Sequence, residues 1–202
     1  MCRLLAVVTM LAGSPLLLVA EPPKPAEPAR ARIAFAGSLA SYSLDTSAQL
    51  VDGKLTTRFE SVIGMQIKEG FMVNVRVAAV VKNLADLGAD TGMVAQGTLD
   101  TGGKDLVLVG DVRPRDEKAR DAKFPKGSVR VEGEATTTTA DLGKGPQTVL
   151  AVKDGPGTIL LVGKIAAEKT KLSGRIRVMG TPQGWDKRRL LIAAETIEEV
   201  KK

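Results

Sequence analysis

From residue 32 onward the sequence consists mainly of short runs that alternate apolar with polar or small side chains. A period of two is the signature of a strand with one buried face. Ile33, Phe35, Gly37 and Leu39 alternate with Ala34, Ala36 and Ser38, and Val73, Val75 and Val77 alternate with Asn74 and Arg76. Further β-branched or Thr-bearing runs lie at 55–62, 93–99, 106–112, 128–136, 148–152, 158–165 and 175–179. Asp52-Gly53, Thr101-Gly102-Gly103 and Asp154-Gly155-Pro156-Gly157 punctuate them as turns. Many short strands at this spacing predict an all-β protein, either a sandwich or a barrel.

Three segments depart from this period. Residues 113–126 are charged, with Pro114 suited to a first helical turn and Asp116 and Glu117 close behind it, and they predict a short connecting helix. Residues 166–172 fit a second, shorter helix or a loop. Near the C-terminus, Leu190, Leu191, Ala194, Ile197 and Val200 fit a helical face, while the run Leu190-Leu191-Ile192 equally suits a buried strand.

The body shows signs of duplication. Val75-Arg76-Val77 recurs as Val129-Arg130-Val131, Ala85-Asp86-Leu87-Gly88 as Ala140-Asp141-Leu142-Gly143, and residues 106–110 are echoed by 159–163. All three pairs are displaced by 53–55 residues, and a near-constant offset favours repeated structure.

The later part of the chain has a further layout. A strand ends in glycine, Val129-Arg130-Val131-Glu132-Gly133; a hairpin spans 148–163; a connector surrounds Glu168-Lys169; a glycine-bearing strand covers 173–180; and 190–200 reads LLIAAETIEEV. This resembles the OB-fold barrel, in particular the small exported bacterial OB-fold proteins related to the tRNA-anticodon-binding-like group. The resemblance covers about residues 127–200 and implies a five-stranded barrel with a ligand face on strands two and three, here 148–163. That segment holds no aromatic residue, unlike the nucleic-acid-binding members. The expected organisation is a signal peptide at 1–20, a Pro-rich linker at 21–32, an N-terminal β domain at 33–112 (a related barrel), the charged helical connector at 113–126, and an OB-like domain at 127–202. The offset leaves one difficulty: the strand near Val129 would be the fourth of one unit and the first of the next. Either the first unit uses another register, or the chain forms one larger β structure.

Residues 1–20 have Arg3, an apolar stretch over 4–20 and small Ala20 before Glu21, the pattern of a secretory signal. The stretch is at the short limit of a membrane span and carries Pro15, which favours a cleaved signal over an anchor. Cys2 precedes the apolar run, whereas lipidation requires a cysteine just after it. Export to the periplasm or extracellular space follows, with no integral span in the mature chain. Pro22, Pro23, Pro25 and Pro28 then favour extended polyproline II.

Composition narrows the chemistry. The 202 residues include no histidine, and the one cysteine, Cys2, lies in the signal. Imidazole and thiol nucleophiles, thiolate or imidazole zinc sites and axial-histidine haem are excluded from the mature chain. No run matches a calcium-binding Asp-x-Asp-x-Asp-Gly loop, and no cofactor or metal site is expected. Asp-Thr-Gly occurs at 90–92 and 100–102, the loop with which aspartic proteases present a carboxylate. The copies are ten residues apart, so only a homodimer would face two together; glycine-rich hairpin turns account for both. Residues 97–104 (GTLDTGGK) fall short of a phosphate-binding loop, with Asp105 where Ser or Thr would meet magnesium. Glu132 and Glu134 share a strand face with Arg130, read as a solvated face.

Charge is uneven. Residues 21–111 carry 9 basic and 11 acidic groups, whereas 112–202 carry 19 and 12. The basic half attracts polyanions, either nucleic acid or acidic polysaccharide. Arg175, Arg177, Trp185, Lys187, Arg188 and Arg189 are the candidate ligand-binding residues, with Trp185 the one aromatic near the cluster. Without a catalytic constellation, the sequence is read as a non-enzymatic binding or structural module of the cell envelope, with an anionic polymer or an envelope protein as partner. Polyanion binding through the basic patch is the second reading, and a dimeric aspartic protease using Asp100 is the third.

Overall fold

The structure is a computed structural model that describes residues 30–200 apart from 82, 83, 85, 144 and 187. The expected signal, the segment 21–29 and Lys187 lie outside the described residues. Ten strands and one short helix follow in order: β1 Arg32–Val51, β2 Lys54–Lys68, β3 Phe71–Val77, β4 Gly92–Asp100, β5 Val107–Pro114, β6 Val129–Asp141, β7 Pro146–Asp154, β8 Gly157–Val162, α1 Lys164–Glu168, β9 Gly174–Asp186 and β10 Arg189–Glu199. The protein is nearly all β, and its strands form one mixed sheet.

Pairings within that sheet close on themselves twice. β1 pairs with β2, β2 with β3, β3 with β5, β5 with β4, and β4 with β1. β6 to β10 repeat the circuit, with β6–β7, β7–β8, β8–β10, β10–β9 and β9–β6. In both rings only the third and fifth strands run parallel. Inward positions are apolar, as the period of two predicts: Ile33, Phe35, Ile63, Met65 and Val75 in the first ring, and Val131, Leu150, Ile159, Ile176 and Ile192 in the second. They belong to one continuous core.

The first strand of each ring must bend to reach neighbours on both sides, and each has a glycine where it changes partner. A Cβ on Gly37 would lie 2.5 Å from the Gln66 carbonyl oxygen, and one on Gly133 would lie 2.6 Å from Val152 Cγ1. The rings join through β1 and β6, which pair antiparallel over Ile33↔Val131, Ala34↔Arg130 and Phe35↔Val129. A displacement of 96 residues, from Gly37 to Gly133, exchanges the first and last of these pairs. The Ala34–Arg130 pair maps onto itself, so an approximate two-fold axis passes through it.

Three expectations change here. The offset of 53–55 residues does not mark the repeat. Val75–Val77 is in β3 and Val129–Val131 in β6, which are not equivalent strands, so the difficulty of a shared strand disappears. Residues 113–126 are not helical. Arg113 and Pro114 pair with β4, and the rest is a series of turns in which Asp116 Oδ1 accepts from Lys118 N–H and Ala119 N–H. Side chains that take backbone donors in this way compete with the helix. The helix instead forms at Lys164–Glu168, and the C-terminal segment is a strand over Arg189–Glu199. Among the described residues, no helix is long and apolar enough to cross a membrane.

Candidate functional site

The seam between the rings is an open trough. Cross-strand register builds its floor: Asp111 lies opposite Gln96, Gln96 opposite Ala34, and Ala34 opposite Arg130. One residue along, Arg32 lies opposite Glu132, and Glu132 opposite Arg177. All of these point away from the core, as alternation from buried Ile33 and Val131 requires. Apart from Arg177, they line a groove of about 550 Å³. A second groove of about 380 Å³ continues past Thr98, which lines both, to Arg30, Asp100 and Arg188.

β4 and β5 lie unusually close under this trough. A Cβ on Gly97 would collide with the Val109 carbonyl, and one on Gly110 with the Gln96 carbonyl. Glycine at both opposed positions lets the strands meet.

Charges along the trough are sorted. Glu132 is held by two guanidinium groups, with Arg175 Nη2 at 2.9 Å and Arg177 Nη2 at 2.9 Å. The Arg177 hydrogen bond and the charges of Arg177 and Arg175 hold its carboxyl below the usual range. Asp100 accepts from Gly102 N–H at 2.9 Å and faces Arg76 at 3.6 Å. Glu132 and Asp100 are thus partly neutralised from within, whereas Asp111 joins no ion pair among the described residues. Arg30, Arg32, Arg130 and Arg188 line the two grooves and join no ion pair among the described residues.

Arg130, on the axis, stacks over the Phe124 ring with 4.7 Å to its centroid. Phe124 is buried against Ala36 and Val94. The 115–128 connector that carries it is pinned by Arg113, whose Nη1 and Nη2 donate to Asp121 at 2.6 and 2.7 Å. That pair holds the buried Asp121 carboxyl at about 2. At the far end of the seam, Asp154 is buried, and Oδ1 accepts from Ala31 N–H at 3.1 Å. Oδ2 has no hydrogen-bond partner, and burial pushes this carboxyl above its ordinary value.

The six residues singled out from sequence fall into two groups. Arg175 and Arg177 flank the trough, engaged with Glu132. Eight residues of β9 separate Arg177 from Trp185, roughly 26 Å along an extended strand. At that other end Arg188 lines the second groove and Arg189 pairs with Asp186 at 3.4 Å, while Lys187 lies outside the described residues. Trp185 is half-buried against the core, and its Nε1 donates to the Lys104 carbonyl of the first ring at 3.0 Å. Its indole N–H therefore serves the join between rings. Sequence reasoning missed Arg30 and Arg32, which come from the acidic half and reach Arg130 only through the β1–β6 pairing. Between 148 and 163, where the resemblance places a ligand face, there is a cavity of about 100 Å³.

The Asp-Thr-Gly at 100–102 begins the β4–β5 hairpin loop, with Asp100 opposite Val107. Among the described residues, no cluster of carboxylates is arranged to hold a metal ion.

No known protein family matches the sequence. No curated protein matches it either. One solved structure that overlaps the chain is described as a murine DNA-binding protein bound with double-stranded DNA. It has 10% identity, covers 83% of this chain and 99% of its own, and gives a TM-score of 0.26. An overlap this slight assigns neither fold nor ligand.

Proposed function

We propose that this chain is an exported, non-enzymatic binding module built from two OB-like barrels, with an anionic polymer as its ligand along the seam. One observation carries the reading. Four guanidinium groups, Arg30 and Arg32 from the first ring and Arg130 and Arg188 from the second, line one continuous trough in which Asp100 and Glu132 are already partnered and Asp111 is the one acidic group without an ion pair among the described residues. Guanidinium groups give paired donors to phosphate, sulfate or carboxylate oxygens. Five strands closing on themselves, twice, support the OB-like assignment, and the pattern of residues 1–20 supports export. The trough is polar and open, and Arg130 over Phe124 is the one cation–aromatic stack among the described residues.

The test is binding to heparin, a labelled single-stranded oligonucleotide and anionic vesicles, at low and at physiological salt. Affinity for the polymers should fall steeply with salt, because each neutralised phosphate or sulfate releases counterions. Arg32→Glu with Arg130→Glu should abolish it, whereas Lys164→Glu, on α1, should not. Equal loss from both variants would place binding in net charge rather than in the seam. Absence of binding at low salt would overturn the reading, as would turnover by the purified protein on a hydrolase panel.

A further inference from the structure

β1 and β2 run well past the first ring. Beyond Ser61 the hairpin pairs with nothing else among the described residues, and its partners continue alone through Leu44↔Ser61, Thr46↔Phe59, Ala48↔Thr57 and Leu50↔Leu55 to Val51↔Lys54. Asp52 and Gly53 close it, both at positive φ (50° and 73°), the type I′ turn that Asp-Gly favours. The face that carries Leu44, Ala48, Leu50, Leu55 and Phe59 is continuous with the ring interior: Met65, Ile63 and Ser61 precede Phe59 on the same side of β2 and are buried. Ser61 is the last covered position, where its Oγ donates to the Ala79 carbonyl at 2.7 Å and accepts from Val81 N–H. Past it the core face is bare. Leu50 and Leu55 are each 74% exposed, and Leu44 and Phe59 are 43% and 45% exposed. The opposite face is polar except at its tip, with Asp45, Ser47, Gln49, Thr56, Arg58 and Glu60, and Val51 beside the turn.

We propose that this arm docks face to face on the arm of a second copy of the chain. A two-stranded hairpin has no core of its own and is at best marginal in water, so an arm with a bare apolar face needs a cover. The order of side chains fits its own reverse. When two arms cross antiparallel, the Thr46–Phe59 pair of one meets the Ala48–Thr57 pair of the other, ring against small residues. The Leu50–Leu55 tip meets the Leu44–Ser61 base. Charge excludes a polyanion or an anionic membrane as the better partner. The arm and its turn hold Asp45, Asp52 and Glu60 against Lys54 and Arg58, so nothing draws it to negative surfaces. The strip is about 20 Å long and 10 Å wide. Two such faces bury far less than the roughly 1,600 Å² of a standard interface, which makes the dimer weak and concentration-dependent.

Sedimentation of the full chain from low to high micromolar concentration tests this. The wild type should pass from monomer to dimer. Leu50→Lys with Leu55→Lys should raise the dissociation constant at least about tenfold, and Ala48→Trp should do the same by filling the space that receives Phe59. Urea unfolding checks that the rings remain folded, since these positions lie beyond them. A wild type that stays monomeric at the highest concentration overturns the proposal. So does a dimer that survives both variants, or an arm that binds neutral vesicles while the chain remains monomeric.

Discussion

Asp154, in the β7–β8 turn of the second ring, bonds the backbone of Ala31, which leads into β1 of the first: Oδ1 accepts from Ala31 N–H at 3.1 Å. The bond clasps the two rings one residue beyond the β1–β6 ladder, which on this side ends at Arg32↔Glu132. It does so with a carboxylate that is almost wholly buried and half unsatisfied.

That carboxyl gives stability an unusual pH dependence. Burial raises its pKa above the ordinary 3.8, against the opposing effects of the Ala31 N–H and Arg30. The folded state therefore holds its proton more tightly than the unfolded state, and the stability this gives is full below 3.8 and lost as pH rises through the folded value. Asp154→Asn keeps an acceptor for Ala31 and removes the charge. Its urea midpoint should exceed that of the wild type at pH 7, and the advantage should shrink toward pH 3. Asp154→Ala leaves the Ala31 N–H without its partner and should cost about 1–3 kcal/mol.

Asp121 behaves in the opposite way. Its pairing with Arg113 holds the carboxyl at about 2, below the ordinary 3.8. Its contribution is present above 3.8 and disappears as pH falls toward about 2. Asp121→Asn should cost about 2 kcal/mol at neutral pH and nothing near pH 2. Denaturant midpoints of the two proteins, compared across that interval, should converge.

The close approach of β4 and β5 makes glycine necessary at 97. Gly97→Ala puts a methyl group into the Val109 carbonyl and should cost about 1–3 kcal/mol as the strands part. Gly184→Ala, in β9, has open space around the new methyl group and should stay within about 0.5 kcal/mol of wild type. Thermal or urea unfolding of the pair separates crowding from a general effect of glycine replacement.

Glu132 separates an effect on stability from an effect on the proposed ligand binding. Its arginine partners are nearly half exposed, and pairs of this kind contribute little, under about 1 kcal/mol. Glu132→Gln should leave unfolding almost unchanged. It removes a negative charge and releases Arg175 and Arg177, so heparin affinity at low salt should rise. An unchanged affinity would separate these arginines from the proposed ligand.

The strands were legible in the sequence because alternation reports which face of a strand is buried. Ile33 and Phe35, Val73 and Val75, and Val129 and Val131 all point inward as their spacing requires. Alternation does not report which strand lies alongside. Matching letters, Val-Arg-Val against Val-Arg-Val, do not mark the repeat; the correspondence links Gly37 with Gly133 and Gly97 with Gly180, positions alike only in lacking room for a Cβ. The connector misled for another reason. Its charges suit a helix surface, but Asp116 and Asp121 spend their side chains on backbone donors and on Arg113. The seam stayed hidden because Arg32 and Arg130 are distant in sequence and come from halves of opposite net charge.

The approximate axis through Ala34 and Arg130 carries one more consequence. In a symmetric homodimer with this contact, the same residue would occupy both sides of the axis, and every substitution would appear twice. Here the halves are one covalent chain, so alanine faces arginine across the axis, residues 32–114 carry 8 basic and 9 acidic groups against 11 and 9 over 129–199, and the surface between them reads differently from its two ends. A long, unsymmetrical ligand laid along that surface has one preferred polarity, a property that two identical subunits could not provide.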